Sequence, residues 1–256
     1  MADSEAIIDA SGAEIGPIVI LAYDGIAADE ASVLVDILSD AGLEVMIASV
    51  QARPVTSYNG RVVPTLGAVD IGRCSAVIVP GGLGVRTTSE NQGVLNAIAQ
   101  LAAQARWLGS TSTGSVLLAA AGVIDGARVT THWLAGDLIT KRGLELVDEP
   151  YVEWGRLLTA SGIVGTATLS FRIVGALLGV QAENRIRERF VPPRTSRDRR
   201  YEREHRSRWR TFIDGMSFRW DPGRGRRRVT DEDPVLSIMD PDGDADVIVL
   251  DLDPDR

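Results

Sequence analysis

Apolar residues in this chain fall into short runs that alternate with helix-period stripes, and the alternation predicts a layered α/β architecture. Pro17 to Tyr23 (PIVILAY) is a brief apolar run rich in β-branched residues, the pattern of a strand buried on both faces of a parallel sheet. Asp24 to Asp29 reads as a turn. Glu30 to Ala41 then carries apolar positions at Val33, Leu34, Ile37 and Leu38, a helical stripe stopped by Gly42. Val45 to Val50 follows as a second strand, which completes a βαβ unit and implies a parallel sheet with right-handed crossovers. Val62 to Ala68 and Ala76 to Val79 continue the strands, and Pro80-Gly81-Gly82 lets the backbone turn sharply at the end of the latter. Asn91 to Ala105 is an amphipathic helix. Val129 to Thr131 is the next strand, and beyond it the pattern predicts a helix over Trp133 to Arg142 stopped by Gly143 and short strands over Leu144 to Val147 and Tyr151 to Trp154; Leu157 to Ala160 with Ser161-Gly162 precedes the last helix. A long helix from about Ala167 to Asn184 closes the series.

The stretch from Trp107 to Trp133, WLGSTSTGSVLLAAAGVIDGARVTTHW, concentrates the candidate chemistry. Ser110 to Ser115 is an unbroken run of small and hydroxyl residues, followed by the helix-forming VLLAAAGVI with its stop at Gly122. Such a run suits a sharp strand-to-helix turn that pushes one side chain out above the sheet, beside the first N–H groups of the helix. Ser112 is the side chain so placed. Because open α/β sheets bind ligands at strand carboxyl ends, the Gly81-Gly82 loop is expected to converge on the same place.

These residues carry a resemblance. STSTGSVLLAAAGVIDGARVTTHW is similar to the nucleophile-elbow segment of the PfpI/ThiJ-like superfamily, which has the class I glutamine amidotransferase-like fold, and within it to the isonitrile hydratase-like branch. The resemblance covers roughly residues 17–182 and implies a flavodoxin-like three-layer sandwich. The family segment usually reads Cys-Thr-Gly, a helix ending Ala-Gly, then Thr-Thr-His-Trp, so Ser112 stands where the family has its reactive cysteine. ADEASVLVDILSDAGLEV is likewise similar to the family's first helix, whose acidic residue touches the nucleophile, and Glu30 takes that place. In the family that carboxyl is protonated and hydrogen-bonds the thiolate. By position alone, Glu30 is a carboxylate in the first turn of a helix, where the dipole favours it. Within GIVGTATLSF, near Gly165-Thr166-Ala167, relatives commonly have Ala-Gly-Ile-Asp; this chain has no acid there, which bears against isonitrile specificity.

Three readings of Ser112 follow. It is a hydroxyl nucleophile, which needs a base among only two histidines, His132 and His205. Alternatively it positions water or substrate while Glu30 transfers the proton, or it is an introduced replacement of cysteine. The second is preferred, because addition, elimination or ring closure needs a general acid/base and an oxyanion site without a covalent adduct. Thr113 follows Ser112 where family proteases carry histidine, which argues against a peptidase. Gly81 or Gly82, with Thr113, are the expected backbone donors. His132, where the resemblance also places a histidine, is either a member of the site or a structural imidazole fixing the elbow.

Composition narrows the setting. Of 256 residues, 45% are hydrophobic, enough for one large domain with a full core. No apolar run approaches the ~20 residues of a membrane span. MADSEAIIDASGAE lacks the regions of a signal peptide, so a cytoplasmic location is expected. A single cysteine, Cys74, excludes an internal disulfide and a cysteine cluster. The net charge of −8 conceals three blocks: 10 basic and 19 acidic residues in 1–184, 16 arginines and 6 acids in 185–228, and 1 and 10 in 229–256. The basic block interleaves aromatics, one footprint of nucleic-acid binding, yet its acids make RDRRYEREHRSRWRTFI read as a salt-bridged helix that packs on the core or on a second subunit. DPDGDAD lacks the closing Glu of a calcium loop.

The expected organisation is therefore a leader over 1–16, a PfpI/ThiJ-like α/β domain over 17–184 and a basic-then-acidic extension over 185–256. The expected activity is that of a cofactor-independent lyase or hydratase, or a cyclase or isomerase of specialised metabolism, without a metal. Glu30, Ser112 and His132 are its catalytic residues, and Gly81, Gly82 and Thr113 bind substrate and oxyanion. The alternative is a ligand-binding or regulatory module that lost catalysis with its cysteine. A small-molecule substrate and a homodimer are the expected partners, with neither nucleic acid nor membrane.

Overall fold

The computed structural model describes residues 13–67 and 74–190, together with the isolated residues 8 and 72. The basic and acidic blocks beyond Phe190, with His205, and most of the N-terminal leader lie outside the described residues.

The alternating pattern folds as β1 (Ile18–Leu21), α1 (Ala28–Asp40), β2 (Val45–Ser49), β3 (Val55–Thr56), β4 (Val62–Val63), β5 (Leu66–Gly67), β6 (Ala76–Val79), α2 (Val85–Thr88), α3 (Gln92–Gln104) and β7 (Trp107–Thr111). There follow α4 (Gly114–Ala120), β8 (Arg128–Val129), a 3-10 turn at Trp133–Ala135, α5 (Gly136–Thr140), β9 (Glu145–Leu146), β10 (Tyr151–Trp154), β11 (Leu157–Ala160), α6 (Gly162–Leu178) and α7 (Val180–Phe190). Seven strands form the central sheet in the order β10-β11-β7-β6-β1-β2-β5, and all neighbours are parallel except the edge pair β10 and β11. Every residue of β1 and β6 is fully buried, as an apolar run in a sheet covered on both faces requires. Helices α1 and α6 pack together as one layer, with α7 against them, while α3 and α4 pack together as another. The result is a three-layer α/β sandwich: the parallel α/β character is the one expected from the alternation, and the three layers are those implied by the resemblance.

Two departures have local causes. The helix expected over Trp133 to Arg142 starts as a 3-10 turn and becomes α-helical only at Gly136. The long helix expected from Ala167 to Asn184 begins earlier, at Gly162, and breaks at Gly179, whose φ of +88° is the left-handed region that ends a helix. Its second half, α7, continues to Phe190 and is held by Glu183, a buried carboxylate paired with Arg172 at 3.2 Å and with Arg187 at 2.8 Å.

Strand order places the site. The chain moves outward from β1 through β2 to β5, returns to the other side of β1 as β6, and continues to β7 and β11. Between β1 and β6 the winding reverses, and the crevice beyond the carboxyl ends at such a point is where open α/β sheets take ligands. Beside it, the turn from β7 into α4 is packed so closely on β6 that Gly114 leaves no room for a side chain: a Cβ there would run into the carbonyl oxygens of Val79 and Pro80. Gly114→Ala is expected to lower the unfolding free energy by about 1–3 kcal/mol through overpacking. Urea denaturation checks this, and an unchanged midpoint would contradict the packing described.

Candidate active site

Ser112 sits at the junction of β7 and α4 with φ of +50°, a left-handed backbone that a non-glycine residue rarely holds. Both ends of the residue are tied. Its N–H donates to the Ala160 carbonyl at 2.7 Å, and its carbonyl accepts from the Thr131 hydroxyl at 2.9 Å. The turn is therefore fixed by β11 on one side and by the strand-end TTHW segment on the other. Such a strained strand-to-helix residue is the hallmark of a nucleophile elbow.

The Pro80-Gly81-Gly82 loop lies directly against this elbow. A Cβ on Gly81 would come within 2.6 Å of the Ser112 Cβ, so only glycine permits the approach. The Thr113 hydroxyl locks the loop in place by accepting from the Gly82 N–H at 2.9 Å and lying 3.1 Å from the Gly82 carbonyl. The loop also receives α1, because the Ala27 N–H donates to the Gly81 carbonyl at 2.8 Å.

Glu30 enters this junction from the first turn of α1. It shares the buried face of that helix with Ala31, Leu34, Ile37 and Leu38, so a carboxyl occupies a position of the apolar stripe, and only 6% of the residue is exposed. Its Oε2 accepts from the Thr111 hydroxyl at 2.6 Å and, at the longer distance of 3.4 Å, from the Gly81 N–H. Burial pushes the carboxyl above its ordinary 4.5; the Thr111 and Gly81 donors pull it back, the charge of Asp29 pushes it up, and the neighbouring Ser112 hydroxyl pulls least. Tyr23, buried at the end of the β1 segment, donates to the Pro80 carbonyl at 2.8 Å. Burial, and secondarily the charge of Glu30, raise its phenol well above 10.0.

Five of the six residues expected from the sequence, Glu30, Gly81, Gly82, Ser112 and Thr113, are thus joined by hydrogen bonds and close contacts. His132 is placed differently. It is one residue beyond Thr131, but its Nδ1 accepts from the Leu134 N–H at 3.3 Å and caps the 3-10 turn, and its ring stands 5.6 Å from that of Trp133. Burial pushes the imidazole below its ordinary 6.5. Thr111 and Tyr23 were not singled out in the sequence, although a tyrosine ending a buried strand has to find a partner for its hydroxyl. A cavity of about 170 Å³ at the ends of β1 and β2, bordered by Tyr23, Ser49, Gln51 and Asn91, lies beside the junction and contains neither Glu30 nor Ser112. Among the described residues no cluster of His, Cys, Asp or Glu is placed to hold a metal ion, and no helix is long and apolar enough to cross a membrane. Cys74 is buried, and burial pushes its thiol up.

Residues 17–176 match the DJ-1/PfpI family. The chain belongs to that family. The isonitrile hydratase of Pseudomonas putida is 38% identical over 128 residues, which are 50% of this chain and 56% of the hydratase. The chain thus spans little more than half the length of that relative. The glutathione-independent glyoxalase DJR-1.2 of Caenorhabditis elegans is 28% identical over 162 residues, 61% of this chain and 87% of the glyoxalase. Among solved structures, a ThiJ/PfpI family protein of Pseudomonas syringae superposes with a TM-score of 0.65 at 21% identity, covering 71% of this chain and 77% of its own. Drosophila melanogaster DJ-1beta does so with a TM-score of 0.64 at 18% identity, covering 70% and 100%. Both share the fold described above, a mostly parallel sheet between helical layers.

A carboxyl whose proton affinity is raised on folding stabilises the native state fully below its unfolded value and loses that contribution as the pH rises through its folded value. Burial of Glu30 therefore weighs on the fold at neutral pH. Glu30→Gln is expected to raise the thermal unfolding midpoint at pH 7 to 8, with the gain shrinking on acidification and gone below about 4.5. Midpoints measured across that range check it, and a gain that persists at low pH would assign the effect to something other than ionisation.

Proposed function

We propose that this protein is a cofactor-independent enzyme of the hydratase or lyase type, with the Glu30 carboxyl as general acid/base. The observation that carries this reading is the buried Glu30 carboxyl, raised in proton affinity, set at a strained elbow beside the Ser112 hydroxyl. A group whose proton affinity lies nearer neutrality can both give and take a proton during one turnover. The family relatives named as isonitrile hydratase and glyoxalase support activity on small reactive carbon centres. For an isonitrile, Glu30 delivers its proton to the terminal carbon. A water held by Ser112 adds to that carbon and returns a proton to the carboxylate, and tautomerisation yields the N-substituted formamide. Of the backbone donors expected at the elbow, the Gly82 N–H is held by the Thr113 hydroxyl and the Gly81 N–H is aimed at Glu30, so the Thr113 N–H is the donor assigned to charge developing over the elbow.

Ser112 as a nucleophile is the weaker role, because His132 uses its Nδ1 to cap a helical turn. The serine itself favours one second reading, a DJ-1/PfpI module that binds a ligand without turning it over. Turnover of a small alkyl isonitrile and of a simple 2-oxoaldehyde by the full chain separates these readings. Glu30→Gln is expected to lower kcat by ~10²-fold or more, the usual scale for general acid–base catalysis, and Ser112→Ala by less. Loss of all turnover in Ser112→Ala with a mild effect in Glu30→Gln would reverse the roles. Saturable binding of either compound without turnover would favour the binding module.

A further inference from the structure

In a regular strand, neighbouring side chains point to opposite faces of the sheet, so Thr111 and Ser112 should not meet the same group. At the elbow the regular strand ends: Ser112 has a left-handed backbone and its side chain lies against Gly81, while the Thr111 hydroxyl donates to Glu30 Oε2 at 2.6 Å. Thr111 is fully buried, and among the described residues this is its one side-chain hydrogen bond. The Gly81 N–H is aimed at the same oxygen from the opposite loop.

Oε2 thus faces two protein donors, and a donor directed at an oxygen leaves the other oxygen of the carboxyl as the one that carries a proton. We propose that Thr111 is a positioning residue, whose hydroxyl fixes Glu30 through Oε2 so that the exchangeable proton is carried and transferred on Oε1. This deepens the reading of Glu30 as the proton carrier and rests on it. A buried threonine that merely found a partner would leave the behaviour of the carboxyl unchanged when replaced by its isostere; a positioning residue would not. The titratable groups acting on Glu30 are Asp29 on its own helix and Tyr23 from the β1 segment, and both are kept in the variants below.

The test follows the Glu30 carboxyl directly, without substrate. In the full chain with ¹³C-labelled glutamate, the Glu30 side-chain carboxyl resonance is identified by its loss in Glu30→Gln and titrated. Thr111→Val removes the donor at nearly constant volume, and the midpoint is expected to rise by ~0.5–1 pH unit, a three- to ten-fold tighter proton. Thr111→Ser is expected to restore the original midpoint. Should Thr111→Val fold poorly, Thr111→Cys, a weak donor of similar size, is expected to give a smaller rise. Midpoints that stay within ~0.2 of the parent in both the Val and the Cys variants overturn the role of Thr111 and leave the Glu30 reading untouched. Undiminished turnover in Glu30→Gln overturns that reading and leaves the hydrogen bond as it stands.

Discussion

The left-handed backbone at Ser112 is the constraint to which the rest of the site conforms. Holding a non-glycine residue there costs on the order of 1–3 kcal/mol, and such strain persists only where the surroundings over-determine it. The surroundings here are specific. A β11 carbonyl accepts the Ser112 N–H, the Thr131 hydroxyl donates to the Ser112 carbonyl, and two positions without a Cβ, Gly81 and Gly114, let β6 and its loop close on the turn. The elbow is therefore a property of four segments brought together by the parallel sheet and not of the STSTGS run alone.

Once the elbow is formed, the loop after β6 has little freedom. Thr113 holds Gly82, Tyr23 holds the Pro80 carbonyl, and the Gly81 carbonyl receives the N–H that leads into α1. Each contact stands at the carboxyl end of a strand beside the reversal of winding between β1 and β6. This is how a glutamate in the first turn of α1 comes to face the elbow. Its helix presents it on the same stripe as Leu34, Ile37 and Leu38, and burial of that stripe carries the carboxyl into the interior. Hydrophobic packing of α1 thus drives a charged group out of water, and the Thr111 and Gly81 donors offset part of that cost.

The resemblance puts Ser112 where the family has its cysteine, and under the proposed function this changes which group is available for proton chemistry. A thiol near a carboxyl can ionise within the physiological range; a serine hydroxyl does not without a base. With the histidine of TTHW engaged in capping its own turn, the carboxyl of Glu30 is the group at this junction whose ionisation is displaced toward neutrality. In the function proposed above, the geometry that would hold a thiolate beside a protonated acid instead sets a carboxyl beside a neutral hydroxyl.

The sequence by itself determined the layered α/β fold, because fully buried parallel strands demand continuous apolar runs and the helices between them demand a stripe at helical spacing. Ser112 and its turn were legible from a run of small hydroxyl residues; Glu30 was legible as a site residue only through the resemblance of ADEASVLVDILSDAGLEV to the family's first helix, since its place at the head of the stripe alone reads as a carboxylate favoured by the helix dipole. Tertiary structure decided the rest. Thr111 meets Glu30 across 81 residues of chain and Tyr23 meets Pro80 across 57, pairings that no local period encodes. The orientation of His132 depended on the 3-10 turn that it caps, and the division of the last long helix on the left-handed backbone at Gly179. Local pattern sets which face of an element is buried; only the packed sheet fixes which polar groups meet there, because each buried donor and acceptor takes whatever partner the fold delivers.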